Sequence, residues 1–207
     1  MKLRFLIILT SSLLFVGAGA VNQGSEDGNS KEGSKKVETC AACHGKEGNS
    51  LVGLWPSLAG QNAKYLFKQL RLFKSGEREN ASMAGFLDEL SDEDLKDIAA
   101  FYASKKNTIG QTEKDKVGLG RKLYYAGNIQ KGVPACSACH SPRGLGNGPA
   151  AYPLLSGQQP DYVKKALKDY RSGERSNEDP SRIMVAIAYK LDDSEIEALS
   201  SFVHGLH

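Results

Sequence analysis

Four cysteines stand in two matching frames, Cys40-Ala41-Ala42-Cys43-His44 and Cys136-Ser137-Ala138-Cys139-His140. In such a frame two thiols lie one helical turn apart and a histidine follows directly. The spacing suits covalent attachment of a c-type haem, the thiols adding across the porphyrin vinyl groups and the imidazole standing beneath the iron. Paired cysteines serve two other chemistries. One Cys-x-x-Cys can be a redox dithiol, and two can close a four-cysteine zinc site. The dithiol needs a strand–helix setting that neither frame has, and zinc leaves two adjacent histidines without a role. The expectation is two haem c groups on Cys40, Cys43, Cys136 and Cys139, with His44 and His140 as axial iron ligands.

A second axial ligand must come from elsewhere in the chain. Met83 and Met184 follow the two frames in equivalent places. A lone methionine is usually core filler, but one at the same landmark after each frame is the pattern of a thioether ligand. Soft sulfur favours ferrous iron and raises the potential. An axial histidine usually donates its other ring N–H to a carbonyl or carboxylate. Pro56 and Pro153 follow His44 and His140 by 12 and 13 residues, so each is a candidate to stiffen a loop and offer that carbonyl. Trp55 and Tyr152 precede these prolines and are read as packing on the haem or in the core. The remaining histidines, His204 and His207, read as exposed tail residues. No catalytic residue is assigned.

The elements that carry these groups occur twice. Trp55-Pro56-Ser57-Leu58-Ala59-Gly60-Gln61 answers Tyr152-Pro153-Leu154-Leu155-Ser156-Gly157-Gln158, and Ser75-Gly76-Glu77-Arg78 recurs as Ser172-Gly173-Glu174-Arg175. Landmarks in the same order over two stretches of one chain mean a tandem duplication. The division is residues 1–20, 21–110 and 111–207, with the seam in the polar stretch 107–115. Each copy reads as helical. Tyr65, Leu66, Leu70 and Phe73 keep helical spacing, as do Tyr162, Val163, Ala166, Leu167 and Tyr170. Ser91 with Asp94, and Asp192 with Glu195, form capping-box patterns. Leu95, Ile98, Ala99 and Tyr102 fall on one face behind the first, and Ile196, Leu199 and Val203 behind the second. Residues 116–126 form another helix. No run alternates as a strand should.

Lys2 and Arg4, the apolar run 5–16 and Ala18-Gly19-Ala20 read as a signal peptide cleaved after Ala20, with retention as a membrane anchor the alternative. The 207 residues are 40% hydrophobic and 25% charged, with a net charge of +3. Such a balance fits a globular protein and gives no electrostatic footprint for nucleic acid. Domains of about 90 residues bury little surface and often need a staple, a role that an apolar cofactor would fill.

Taken together, the two Cys-x-x-Cys-His frames, the Pro-x-Leu-x-Gly-Gln segments, the two Ser-Gly-Glu-Arg turns, Met83, Met184 and the capped helix start at 90–95 resemble the dihaem cytochrome c4 group. The resemblance covers nearly all of the chain beyond residue 20. It implies an all-α fold of two tandem cytochrome c-like domains, each wrapped around a covalent haem c and facing the other about a pseudo-twofold axis. It also implies a periplasmic one-electron carrier rather than an enzyme, passing electrons from a donor complex towards a terminal oxidase or similar acceptor, with loose association at the membrane surface. The alternatives are an electron-transfer subunit of a periplasmic dehydrogenase and a dihaem peroxidase-type enzyme. The latter needs an iron with a displaceable sixth ligand, against which two matched methionines argue. One departure stands out: Asp179-Pro180-Ser181-Arg182 before Met184 follows the family pattern, whereas Glu79-Asn80-Ala81-Ser82 before Met83 is shorter and lacks the proline.

Overall fold

A computed structural model describes residues 28–176 and 181–207. The signal-peptide segment, with its cleavage point at Ala20, and the Asp179-Pro180 pair lie outside the described residues. The first copy contains α1 (Ser30–Gly33), α2 (Glu38–His44), α3 (Ala63–Ser75) and α4 (Asp92–Ala103). The second contains α5 (Val117–Ala126), a 3-10 turn (Ile129–Lys131), α6 (Ser137–His140), α7 (Pro160–Ser172), α8 (Ser181–Ala188) and α9 (Asp193–His204). Among the described residues the only β-pairings are two isolated bridges, Asn128 with Val133 and Asn147 with Tyr152. The duplication and the all-helical reading therefore both hold.

The two C-terminal helices start as their sequences dictate. Ser91 Oγ accepts the Asp94 N–H at 3.2 Å and Asp94 Oδ2 accepts the Ser91 N–H at 2.8 Å. Asp192 and Glu195 repeat the exchange at 2.9 and 3.1 Å. Each box satisfies helix-end donors that would otherwise face no partner, a gain of about 1 kcal/mol. Behind the caps the apolar stripes are buried: Leu95, Ile98, Ala99 and Tyr102 on α4, and Ile196, Leu199 and Val203 on α9. The preceding long helices, α3 and α7, stop at Gly76 and Gly173, whose φ values are 76° and 85°. A Cβ at either glycine would meet nothing within 4 Å, so the left-handed backbone alone selects glycine there.

In both copies the leading helix crosses the closing one, α1 on α4 and α5 on α9. A glycine sits at each crossing. A Cβ at Gly33 would run into the Asp97 carbonyl, and one at Gly120 would stand 2.5 Å from Phe202 Cβ and 2.6 Å from the Ala198 carbonyl oxygen. Sequence reading had not reached these close approaches, nor α1 itself. Because backbone forms one wall of the Gly120 contact, the site cannot yield cheaply. Gly120→Val should cost about 1–3 kcal/mol or more, lowering the melting temperature of the second half by roughly 4 °C or more for each kcal/mol. Thermal denaturation followed by circular dichroism measures this, and an unchanged midpoint would mean that the crossing opens freely.

The halves are joined by a segment fastened to both. Thr108 N–H donates to Asn49 Oδ1 at 2.8 Å in the first half. Asn107 Nδ2 donates to the Ser156 carbonyl at 2.9 Å, and Glu113 N–H to Ser201 Oγ at 2.9 Å, in the second. Gly110 N–H donates to the His204 carbonyl at 2.9 Å. His204 is not an exposed tail residue as its position suggested. It closes α9, is half-buried, and its Nδ1 lies 3.1 Å from the Gln158 carbonyl oxygen, with its ring over Gly110. His207 is exposed.

Candidate haem sites

Each Cys-x-x-Cys-His frame folds into a single helical turn ending in its histidine. Cys40, Cys43 and His44 lie on α2; Cys139 and His140 lie on α6, with Cys136 as the residue capping it. None of the four cysteines is paired in a disulfide, and all are half-buried except for the exposed Cys139. Cys40 packs against the first core (Val37, Leu66, Ile98, Ala99, Phe101, Tyr102) and Cys136 against the second.

Both histidines are buried, each with 8% of its surface accessible. His44 Nδ1 lies 2.9 Å from the Pro56 carbonyl oxygen, and His140 Nδ1 lies 3.0 Å from that of Pro153. Since a carbonyl can only accept, the proton sits on Nδ1 and Nε2 is left with its lone pair, the tautomer a metal requires. Burial lowers the pKa of both imidazoles, only partly opposed by these hydrogen bonds, so both stay neutral and available as ligands. The Tyr152 ring stands with its centroid 6.3 Å from that of His140. Met83 is half-buried in the turns between α3 and α4, and Met184 is half-buried on α8. The missing proline in the first methionine segment thus goes with a structural difference: turns in the first copy, a helix in the second.

These groups discriminate among the chemistries that paired cysteines allow. The two cysteine pairs lie on separate helices, Cys40 against the first core and Cys136 against the second, an arrangement unlike a four-cysteine zinc centre. Burial raises the Cys40 thiol, and that of Cys136 to about 11. Among the described residues neither frame follows a strand, the setting that a thioredoxin-type dithiol takes. Thiols on one helical turn, a neutral imidazole with a free Nε2 and a later thioether do fit haem c, and that is the only one of the three chemistries for which every member has a role.

The Ser-Gly-Glu-Arg turns hold a feature that sequence reading missed. Their arginines cross between the halves. Arg175 Nη2 donates to Tyr65 Oη and Gln69 Oε1, both at 2.9 Å, while Arg78 donates to Gln69 and, at 3.4 Å, to Tyr162 Oη. Tyr65 and Tyr162 are themselves equivalent in the duplication. Repetition of the motif was visible in sequence, but its destination in the opposite copy carries no local signal.

Comparison with known proteins agrees with this geometry. Residues 33–101 match the family model described as cytochrome c oxidase, cbb3-type, subunit III, and residues 117–207 match that for cytochrome c. The chain is 43% identical over 203 residues to cytochrome c4 of Azotobacter vinelandii, covering 94% of this chain and 97% of the relative. It is 37% identical over 168 residues to a thiosulfate dehydrogenase electron acceptor of Stutzerimonas stutzeri, covering 79% of this chain and 76% of that one. The crystal structure of reduced cytochrome c4 from Pseudomonas stutzeri superposes with a TM-score of 0.85 at 43% identity, over 87% of this chain and all of the other.

Proposed function

Because this chain belongs to the cytochrome c4 family and carries two haem c groups in two cytochrome c domains, we propose that it works in the periplasm, taking single electrons from a respiratory donor and passing them towards a terminal oxidase. In this reading residues 1–20 are the export signal, 21–110 hold the first haem and 111–207 the second. His44 and Met83 would ligate one iron, His140 and Met184 the other. A bound haem iron supplies the one-electron exchange between the ferrous and ferric states.

The polypeptide does the rest. Cys40 and Cys43, and Cys136 and Cys139, tether each group to a helix. The Pro56 and Pro153 carbonyls aim the two imidazoles and hold them neutral. The thioethers of Met83 and Met184 would each hold an iron as a soft ligand that favours the ferrous state. One observation carries the reading: both copies keep a Cys-x-x-Cys-His frame, a proline carbonyl on the histidine and a later methionine, a set that could supply two protein ligands to each iron.

A second reading, transfer from a periplasmic dehydrogenase rather than towards an oxidase, is favoured by the likeness to a thiosulfate dehydrogenase electron acceptor. Pull-down from a periplasmic extract with the holoprotein as bait separates the two by the redox enzyme retained. The cofactor count underlies both. The purified protein should begin at Val21 and hold two haems that survive acid–acetone extraction. One haem per chain, measured by pyridine haemochrome against protein concentration, would refute the paired-site assignment.

A further inference from the structure

In each half, one peptide group links the axial histidine to a side chain of the other half. The Pro56 carbonyl oxygen takes His44 Nδ1 at 2.9 Å. The N–H of that same peptide group, carried by Ser57, donates to Oε1 of Gln158 at 2.8 Å. Gln158 Nε2 returns to the Ser57 carbonyl at 2.9 Å. The arrangement is mirrored across the duplication. The Pro153 carbonyl takes His140 Nδ1 at 3.0 Å, Leu154 N–H donates to Gln61 Oε1 at 2.8 Å, and Gln61 Nε2 donates to the Leu154 carbonyl at 3.0 Å.

Both glutamines are buried, Gln61 at 4% and Gln158 at 5% accessible. Their amide orientation is fixed twice over, since each Oε1 also accepts the N–H of the next residue, Asn62 at 3.0 Å and Gln159 at 2.9 Å. Exchanging O and N in either amide would set donor against donor at two contacts.

We propose that Gln158 and Gln61 are positioning residues that act across the domain boundary, each tuning the iron of the opposite half through that half's proline peptide and histidine. The inference rests on His44 and His140 being the axial ligands. Hydrogen bonds in series polarise one another. An acceptor on the Ser57 N–H puts more negative charge on the Pro56 oxygen, which then draws harder on the His44 Nδ1 proton. The imidazole becomes a better electron donor at Nε2. A better donor favours ferric iron, so each glutamine holds the opposite haem's potential down. General packing of the interface predicts no such direction and no such crossing.

The test uses the full-length holoprotein, with each haem's potential followed through its own hyperfine-shifted proton NMR signals. Gln158→Leu should raise the potential of the haem on Cys40 and Cys43. The expected change is a threefold or greater rise in its reduced-to-oxidised ratio at fixed potential, about 28 mV at ~59 mV per decade for one electron. The haem on Cys136 and Cys139 should stay in place, and Gln61→Leu should do the reverse. Gln158→Glu keeps an acceptor for the Ser57 N–H in either protonation state, so it should leave the first haem at or below its original potential. Equal shifts at both haems, a shift in the substituted half, or no shift would overturn the proposal. Wild-type spectra without axial imidazole signals would instead overturn the ligand assignment, and the proposal with it.

Discussion

Cys136→Ala combined with Cys139→Ala should yield a protein with one haem instead of two and a second half that proteases digest, while the first half stays intact. Among the described residues the buried cluster of the second half is built from Leu123, Tyr124, Val133, Val163, Leu191, Ile196, Leu199, Phe202, Val203 and Leu206, and Cys136 packs directly against it. That cluster belongs to a unit of about 90 residues, for which the net stability is about 5–13 kcal/mol. Small units of this kind depend on a staple, and here the staple is the tethered group itself. Limited proteolysis with mass spectrometry of the fragments gives the answer. A doubly substituted protein whose second half resists digestion as well as the wild type would show that the helices alone carry the fold.

Met184→Ala should lower the potential of the second haem on the order of 100 mV, within the ~0.8 V range that axial ligands command. The thioether is softer than any group that would replace it, water included, so its removal withdraws support from ferrous iron more than from ferric. The oxidised protein should also lose one of its two sulfur-to-iron absorption features. Met83→Ala should act the same way on the first haem. Because Met184 stands on α8 whereas Met83 stands in a series of turns, the two substitutions also compare a proposed ligand held by a helix with one held by turns. An unchanged spectrum in either variant would return that methionine to the role of core filler.

Much of this architecture was open to reading because its signals are local. A Cys-x-x-Cys-His frame, a capping box and a helical stripe each fit within a dozen residues, and Ser91, Asp192 and the stripes behind them lie where those patterns put them. Duplication extended the reach, since a feature found once could be checked against its copy. What escaped were contacts between residues far apart in the chain. Gly33 and Gly120 are selected by another helix's backbone, which leaves no period in their own sequence. The Pro-x-Leu-x-Gly-Gln segments drew attention for their prolines, yet the terminal glutamines reach across the boundary over 93 and 101 residues. His204 looked like tail because the last apolar residue before it is Val203, but α9 carries it one step further onto Gly110.

The joining segment bears on how the two domains meet. Fusing two modules with a slack tether raises the effective concentration of each at the other to about the millimolar range, and the pair then opens and closes according to that figure. Here the tether is itself hydrogen-bonded to both modules, through Asn49 on one side and Ser156, Ser201 and His204 on the other. Adjacent residues are thus anchored to opposite halves, and opening the pair there must break the Thr108–Asn49 or the Asn107–Ser156 bond as well as the interface. Hydrogen bonds from one short segment to both halves therefore narrow the range of orientations the two haem domains can take without breaking a bond.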